Sequence, residues 1–168
     1  MINEGELPRL YVEGVSDLHT IRQLLARHGI ELNEKSGPII IHECKGMDGV
    51  LKSMETAPKT ASNKSVGFMI DADDSLHRRW VSICDRLSRH DLNLPEAPPT
   101  EGFVGDSQAL KSRVGVWIMP DNQTDDAGLE QLLRTLIDPA DRLIEHARRA
   151  TTTAFQLSNA MPASRRAR

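Results

Sequence analysis

The sequence predicts an α/β fold, a three-layer sandwich with a mainly parallel central sheet. Two observations carry this prediction. Short apolar runs of strand length alternate along the 168-residue chain with segments of helical periodicity, as expected of repeated βα units. The run at 65–70 is apolar throughout, which is typical of a parallel strand covered on both faces. We expect one domain over residues 1–160 and a disordered tail over 161–168.

The first two βα units occupy the N-terminal third of the chain. A strand is predicted at 8–14, followed by a helix whose apolar residues recur at helical spacing until Gly29 ends it. A second strand is predicted at 38–44, and a short helix follows from 48 to about 56. The polar stretch 59–64 is predicted as a loop.

The third unit combines the apolar strand at 65–70 with a helix at 75–90, which carries Trp80 on its inward face. The proline-rich stretch 93–100 is predicted as a surface excursion, because proline lacks the N–H that a helix needs. The remaining predicted elements are a short edge strand at 103–104, a fourth main strand at 113–119, a helix at 129–137 and a final helix at 140–155.

The composition is that of an ordinary soluble globular protein. Hydrophobic residues make up 39%, charged residues 27%, and the net charge is −3, so any nucleic-acid surface would have to be a local one. No run approaches the ~20 apolar residues that cross a bilayer, and the N-terminus resembles no signal peptide. We predict a cytoplasmic protein with no membrane partner. Cys44 and Cys84 lack metal-ligand spacing and are predicted as buried free thiols.

Acidic residues follow three of the apolar runs. Glu13 ends the first strand, and Asp17 comes four residues later; Asp71 and Asp73 follow the third strand, and Asp121 follows the fourth. In an open α/β sheet, ligands bind just outside the carboxyl ends of the strands. Carboxylates gathered there repel one another unless a cation lies among them, and oxygen-only ligand sets suit Mg²⁺ or Mn²⁺. The pattern therefore predicts a divalent-metal site.

These acidic residues also have structural interpretations. Asp17 could simply stabilise the positive end of its helix, and Glu130 could do the same at a later helix. Asp121 lies in a loop where turn chemistry favours aspartate. The structural interpretation is weakest for Asp71 and Asp73, because an apolar strand has little need of two carboxylates at its end.

Two segments carry a resemblance to a known family. Residues 12–17, VEGVSD, followed by residues 68–73, FMIDAD, resemble the TOPRIM domain of topoisomerases, primases and OLD-family nucleases. That family has a glutamate after the first strand and a DxD motif after the third. The additional Asp17 is similar to the OLD-like branch, which carries a second carboxylate four residues after the glutamate.

A later part of the chain resembles stand-alone prokaryotic TOPRIM-like proteins of uncharacterised function. It consists of VWIMPDN at 116–122 followed by GLE at 128–130. The resemblance as a whole covers roughly residues 8–137 and implies a TOPRIM-like fold.

The resemblance also implies a site for phosphoryl transfer. Glu13, Asp71 and Asp73 would be the catalytic residues and would hold Mg²⁺ or Mn²⁺. Asp17 would be a ligand of a second metal, and Glu130 is a further candidate ligand. The implied function is a metal-dependent nuclease that acts on phosphodiesters, with nucleic acid as its partner. No tyrosine nucleophile of topoisomerase type is expected, since Tyr11 lies in a predicted strand.

Two other classes of function stay open. A catalytically inactive TOPRIM-like module would act through a protein partner, nucleic acid or a second copy of the chain. The lack of any lysine after Lys111 favours this alternative, because OLD-type nucleases are expected to use a late basic residue, often lysine. A response-regulator-like phosphoacceptor also places acids at strand ends, but it requires a lysine on the last strand, and 114–119 has none.

Arginines are frequent on the helix that follows the DxD motif. Arg78, Arg79, Arg86 and Arg89 form either a solvated helix face or a surface that contacts phosphates. The second interpretation would make binding depend on salt. No aromatic ladder accompanies them, so a surface that stacks single-stranded bases is not expected.

Overall fold

The computed structural model describes most of the chain, namely residues 7–32, 37–61 and 64–158. The chain divides into two compact units, 1–132 and 133–168. The single domain expected over 1–160 stays a prediction, and the expected disordered tail at 161–168 lies outside the described residues.

The first unit is built on one five-stranded sheet. Its strands are β1 (Arg9–Val12), β2 (Ile40–Glu43), β3 (Ser65–Asp71), β4 (Phe103–Ser107) and β5 (Ser112–Met119). The strand order is β2-β1-β3-β5-β4. All neighbouring pairs are parallel except β4 and β5, which form an antiparallel pair. This confirms the predicted α/β class with a mainly parallel sheet.

Helices cover both faces of this sheet. They are α1 (Val15–Arg27), α2 (Met47–Thr60) and α3 (Leu76–Leu87), which continues as a 3₁₀ turn (Ser88–His90). A short helix, α4 (Leu129–Thr135), follows β5. On one face, Ile21 of α1 packs with Val12 and Ile41. On the opposite face, α2 and α3 pack over Val66 and Phe68. The layers form because successive strand residues point to opposite faces.

The described part of the second unit contains the end of α4 and the helix α5 (Arg142–Ser158). Helix α5 begins two residues later than the predicted 140–155 and extends further, while α4 is two residues shorter than the predicted 129–137. Helix ends depend on local capping, so differences of this size are expected from periodicity alone.

Helix α2 runs well past its predicted end near 56, and the predicted loop at 59–64 therefore begins too early. Its apolar stripe continues, because Ala57 and Pro58 are buried like the residues of the preceding turn. Pro58 has no N–H to donate to the Met54 carbonyl four residues earlier. The buried His90 lies 2.8 Å from that carbonyl through Nε2, so a distant ring donates the hydrogen bond that the helix cannot make.

The edge strand predicted at 103–104 is longer in the structure. It extends to Ser107 because the backbone pairs with β5 along its whole length, from Phe103 opposite Val116 to Ser107 opposite Ser112. A single alternating or apolar run cannot reveal this, since the pairing partner comes later in the chain.

Three smaller predictions can also be compared with the structure. Cys44 and Cys84 are free thiols, as predicted, but they are half-buried rather than buried. Trp80 is in the core, as expected. Within the described ranges, no helix has both the length and the apolar character to span a bilayer.

Candidate functional site

The sheet has a topological switch point between β1 and β3. From β1 the chain moves to β2 on one side, and it then returns to β3 on the other side of β1. Because the two connections run in opposite directions, a crevice opens outside the carboxyl ends of β1 and β3. Glu13 directly follows β1, and Asp71 is the last residue of β3. The acidic strand ends therefore lie where an open α/β sheet binds ligands.

A side chain from one strand end bonds directly to the other. Glu13 Oε1 accepts the Asp71 backbone N–H at 2.9 Å, although the two residues are 58 apart in sequence. Asp71 is 6% exposed, and its Oδ1 accepts the Leu129 N–H at 3.1 Å. A Cβ at Gly128 would lie 2.6 Å from Asp71 Cγ, so only glycine allows the loop before α4 to close over this carboxylate.

Asp17 has a structural role at the start of α1. Its Oδ2 accepts the Gly14 N–H at 2.7 Å, which is the acidic half of a capping box. The side chain is buried with 6% exposure, and its negative charge raises the pKa of Glu13. The structure thus brings Asp17 within electrostatic reach of the β1 end while also giving it the helix-start role.

Arg79 contacts both aspartates of the DxD motif at the end of β3, a role that was not predicted from the sequence. Its Nη2 forms an ion pair with Asp73, and its Nε donates to the Asp71 carbonyl at 3.0 Å. Asp73 has a φ of +48°, a conformation that aspartate tolerates better than most residues. Its N–H donates to the Ala127 carbonyl at 3.1 Å. A sequence signal existed, since Arg79 lies in the first turn of the helix that starts at this edge.

The structure shows no bond that links the other acidic candidates, Glu130 and Asp121, to Glu13, Asp71 or Asp73 within the described residues. Glu130 is exposed in the first turn of α4, and in the described parts of the chain it has no hydrogen bond or ion pair with another side chain. Asp121 shapes a turn, because its Oδ1 accepts the N–H groups of Gln123 and Thr124 at 3.0 and 2.9 Å. These contacts favour the interpretation of Asp121 as a turn residue.

Burial raises the pKa of the Glu13 carboxyl group above its usual range. The N–H of Asp71 and the charge of Arg79 act in the opposite direction, while the charges of Asp73 and Asp17 raise this pKa further. The net increase means that the ionised form of Glu13 is less favourable in the folded protein than in the unfolded chain. A cation beside Glu13 would relieve that cost.

Replacing Glu13 with glutamine is expected to stabilise the metal-free protein at neutral pH. The raised pKa means that ionisation weakens folding as the pH rises from the ordinary value of 4.5 through the folded-state value. A glutamine oxygen can still accept the Asp71 N–H without the charge. Urea unfolding in EDTA should show that the advantage of Glu13→Gln grows from pH 4 to pH 7.

The matched control is Glu31→Gln, which changes an exposed glutamate and should give no such trend. An advantage that is equal at both pH values, or a variant that is less stable at pH 7, would contradict the prediction.

A cleft lies beside Asp73. Its volume is about 230 Å³, and its lining includes Asp73, Asp74, Ser75, Arg78, Arg79 and Ser82. Carboxylates and guanidinium groups therefore face the same space. Arg86 and Arg89 do not contribute to this lining and form ion pairs with Glu55 and Asp85 instead. Of the four arginines on α3 and the 3₁₀ turn that continues it, the first two belong to the cleft.

The donor atoms of this region fit a hard divalent cation in their chemistry, because all are oxygens. No three Asp, Glu, His or Cys side chains among the described residues are grouped closely enough to hold an ion by themselves. Mg²⁺ commonly keeps several waters and is bound by one or two carboxylates together with substrate phosphates. Glu13, Asp17 or Asp73 could therefore hold an ion here only together with waters or a substrate phosphate.

All of these residues lie in a segment that matches a known family. The chain belongs to the DUF3226 family. The model of this family, described as a protein of unknown function, matches residues 8–167. The match therefore includes every candidate residue and reaches into both units. No curated protein and no solved structure matches the chain.

Proposed function

We propose that this protein is a Mg²⁺-dependent phosphoryl-transfer protein of TOPRIM type that acts as a nuclease on nucleic-acid phosphodiesters. The observation that carries the proposal is the 2.9 Å hydrogen bond from the Asp71 N–H to Glu13 Oε1. It joins the glutamate after β1 to the first aspartate of the DxD motif at the switch point of the sheet. This is the pairing that the resemblance implies.

The burial of negative charge at the switch point supports a cation. Four carboxylates, those of Glu13, Asp17, Asp71 and Asp73, lie near this edge, and Arg79 contacts Asp71 and Asp73. Burial makes the negative charge of Glu13 more costly than it would be on an open surface. A divalent ion would offset that cost, and an anionic phosphate could then approach.

Each residue has a definite task in this proposal. Glu13 and Asp73 would hold Mg²⁺ or Mn²⁺, and Asp17 would contribute to a second ion. Asp71 would position Glu13 through its backbone N–H, and its own carboxylate is oriented by Leu129. When bound, the ion would polarise the phosphodiester and activate a water.

The arginines of the cleft would bind the phosphate itself. Arg78 and Arg79 line the space beside Asp73, and a guanidinium group matches the geometry of two phosphate oxygens. Arg79 would exchange its ion pair with Asp73 for a contact with the substrate when a metal takes the carboxylate. The cleft therefore offers both a negative side for the metal and a positive side for the phosphate.

A non-catalytic TOPRIM-like module is the second candidate, and a specific observation favours it. The Arg79 guanidinium already neutralises Asp73, the carboxylate that a catalytic ion would need. An arginine cannot donate a proton at neutral pH as a lysine can, and no lysine follows Lys111. Such a module would keep the crevice and act through a protein, a nucleic acid or a second copy.

The proposal is tested first by locating the ion and then by seeking cleavage. Crystals of the full chain grown with Mn²⁺ should show anomalous signal beside Glu13 and Asp73. The same protein should cut single- or double-stranded DNA or RNA with Mg²⁺ or Mn²⁺ and be inactive in EDTA. A bound ion without cleavage of any of these substrates would support the module, and the absence of both would refute the metal site.

A further inference from the structure

A second polar cleft lies at the opposite end of the sheet. It has a volume of about 440 Å³, and its lining includes Lys64, Asp106, Ser107, Lys111, Ser112 and Arg113. This volume is within the range of roughly 300–1,000 Å³ seen for small-molecule sites. The cleft lies where β3 and β5 begin, whereas the acidic residues follow the strand ends. The length of β3 separates the two regions by roughly 20 Å.

The lining has an excess of positive charge. Arg113 donates two parallel hydrogen bonds to the Asp106 carboxylate, at 2.8 and 3.0 Å, so these two charges compensate each other. Lys64 and Lys111 have no ion pair with any residue that the structure describes. Two ammonium groups therefore remain available to an anion.

Two buried hydroxyl groups add donors to the same cleft. Ser112 is 3% exposed, and its Oγ has no hydrogen-bond partner in the described ranges. Ser107 is 2% exposed; its Oγ accepts the Leu110 N–H at 3.2 Å, which leaves its own hydrogen for another acceptor. An unpaired buried hydroxyl is unfavourable, so a ligand oxygen that reached Ser112 would be stabilised.

We propose that this cleft is a second ligand site, which binds a phosphate group through Lys64, Lys111 and the hydroxyl groups of Ser107 and Ser112. A phosphate carries up to two negative charges and several strong acceptor oxygens, which matches two ammonium groups and two hydroxyl donors. A carboxylate has only two oxygens and one charge. The proposal does not depend on the metal site, and the phosphate can belong to a free compound or to a nucleic-acid backbone.

The test is a titration of the full chain, labelled with ¹⁵N, at constant ionic strength and in EDTA, so that no metal can recruit phosphate to the acidic end. The probes are inorganic phosphate, AMP and a short single-stranded oligodeoxynucleotide. Binding should shift the amide signals of Ser107, Gln108 and Ser112. Lys111→Gln should weaken binding about tenfold, the effect of one lost charged hydrogen bond.

Ser112→Ala should also weaken binding severalfold, and it should fold normally because it removes a hydroxyl with no described partner. The matched control is Lys52→Gln, which removes an exposed lysine from α2 and should leave the affinity unchanged. Binding of inorganic phosphate or AMP would identify a free phosphate compound as the ligand. Binding of the oligonucleotide alone would identify a nucleic-acid backbone.

The proposal is overturned if none of the three probes shifts these amides. It is equally overturned if either Lys111→Gln or Ser112→Ala binds like the unaltered protein, or if Lys52→Gln weakens binding as much as Lys111→Gln. The last result would mean that the probes respond to the overall charge and not to this cleft.

Discussion

Asp73→Asn should lower the rate of Mg²⁺-dependent cleavage by about 10²–10³-fold, the usual effect of removing one group that stabilises charge in a transition state. Asparagine has nearly the same shape and tolerates the φ of +48° at this position. Its amide oxygen can still accept a hydrogen bond from Arg79. The substitution therefore removes the negative charge and leaves the local structure in place, which makes a loss of cleavage attributable to metal binding.

The neighbouring Asp74→Asn is the matched control, because Asp74 lines the same cleft but is exposed and outside the implied ligand set. It should retain cleavage, and both variants should unfold in urea at the midpoint of the unaltered protein. Wild-type rates for Asp73→Asn would exclude the assigned role of this carboxylate. Comparable losses in the two variants would point to the general charge of the cleft instead of to a metal ligand.

Gly49→Ala is expected to destabilise the protein by about 3 kcal/mol or more, in the range of severe overpacking. Helix propensity predicts the opposite, since alanine inside a helix is favoured over glycine by about 1 kcal/mol. A Cβ at Gly49, however, would lie 1.9 Å from the Cys44 carbonyl oxygen. That oxygen belongs to the backbone at the end of β2, so it cannot move aside without displacing the strand.

Gly29→Ala separates this steric effect from the general cost of replacing a glycine. Gly29 has a φ of +76°, and a Cβ there would meet nothing within 4 Å. The expected cost is only the left-handed backbone conformation, about 1–2 kcal/mol. Urea unfolding of both variants measures the difference. Equal free energies of unfolding, or a stabilised Gly49→Ala, would show that α2 can shift away from Cys44.

The pattern of apolar runs was sufficient to predict the elements that position the candidate site. Strands at 8–14 and 65–70 were expected; β1 lies inside the first range, and β3 matches the second except that it extends one residue further, to Asp71. The acidic residues at their ends follow directly from this prediction. These positions are predictable because a strand buried in a parallel sheet needs a continuous apolar sequence. A carboxylate is therefore found only where the strand leaves the core.

The contacts of these carboxylates were not predictable in the same way. Leu129 donates to Asp71 from 58 residues away, and Arg79 bridges Asp71 and Asp73. Neither contact leaves a periodic signal, because each depends on how two segments meet in space. Asp17 illustrates the ambiguity, since its spacing to Glu13 suits both a ligand and a capping residue, and the structure shows the capping bond.

The sequence by itself determined the α/β class, the approximate strands and the acidic character of the strand ends, because these depend on local periodicity and residue chemistry. Only the tertiary structure decided that β1 lies between β2 and β3, which places Glu13 against Asp71. It also decided that His90 completes the backbone bonding of α2 at Pro58. Strand order and long-range pairing arise from packing the whole chain, and no local pattern encodes them.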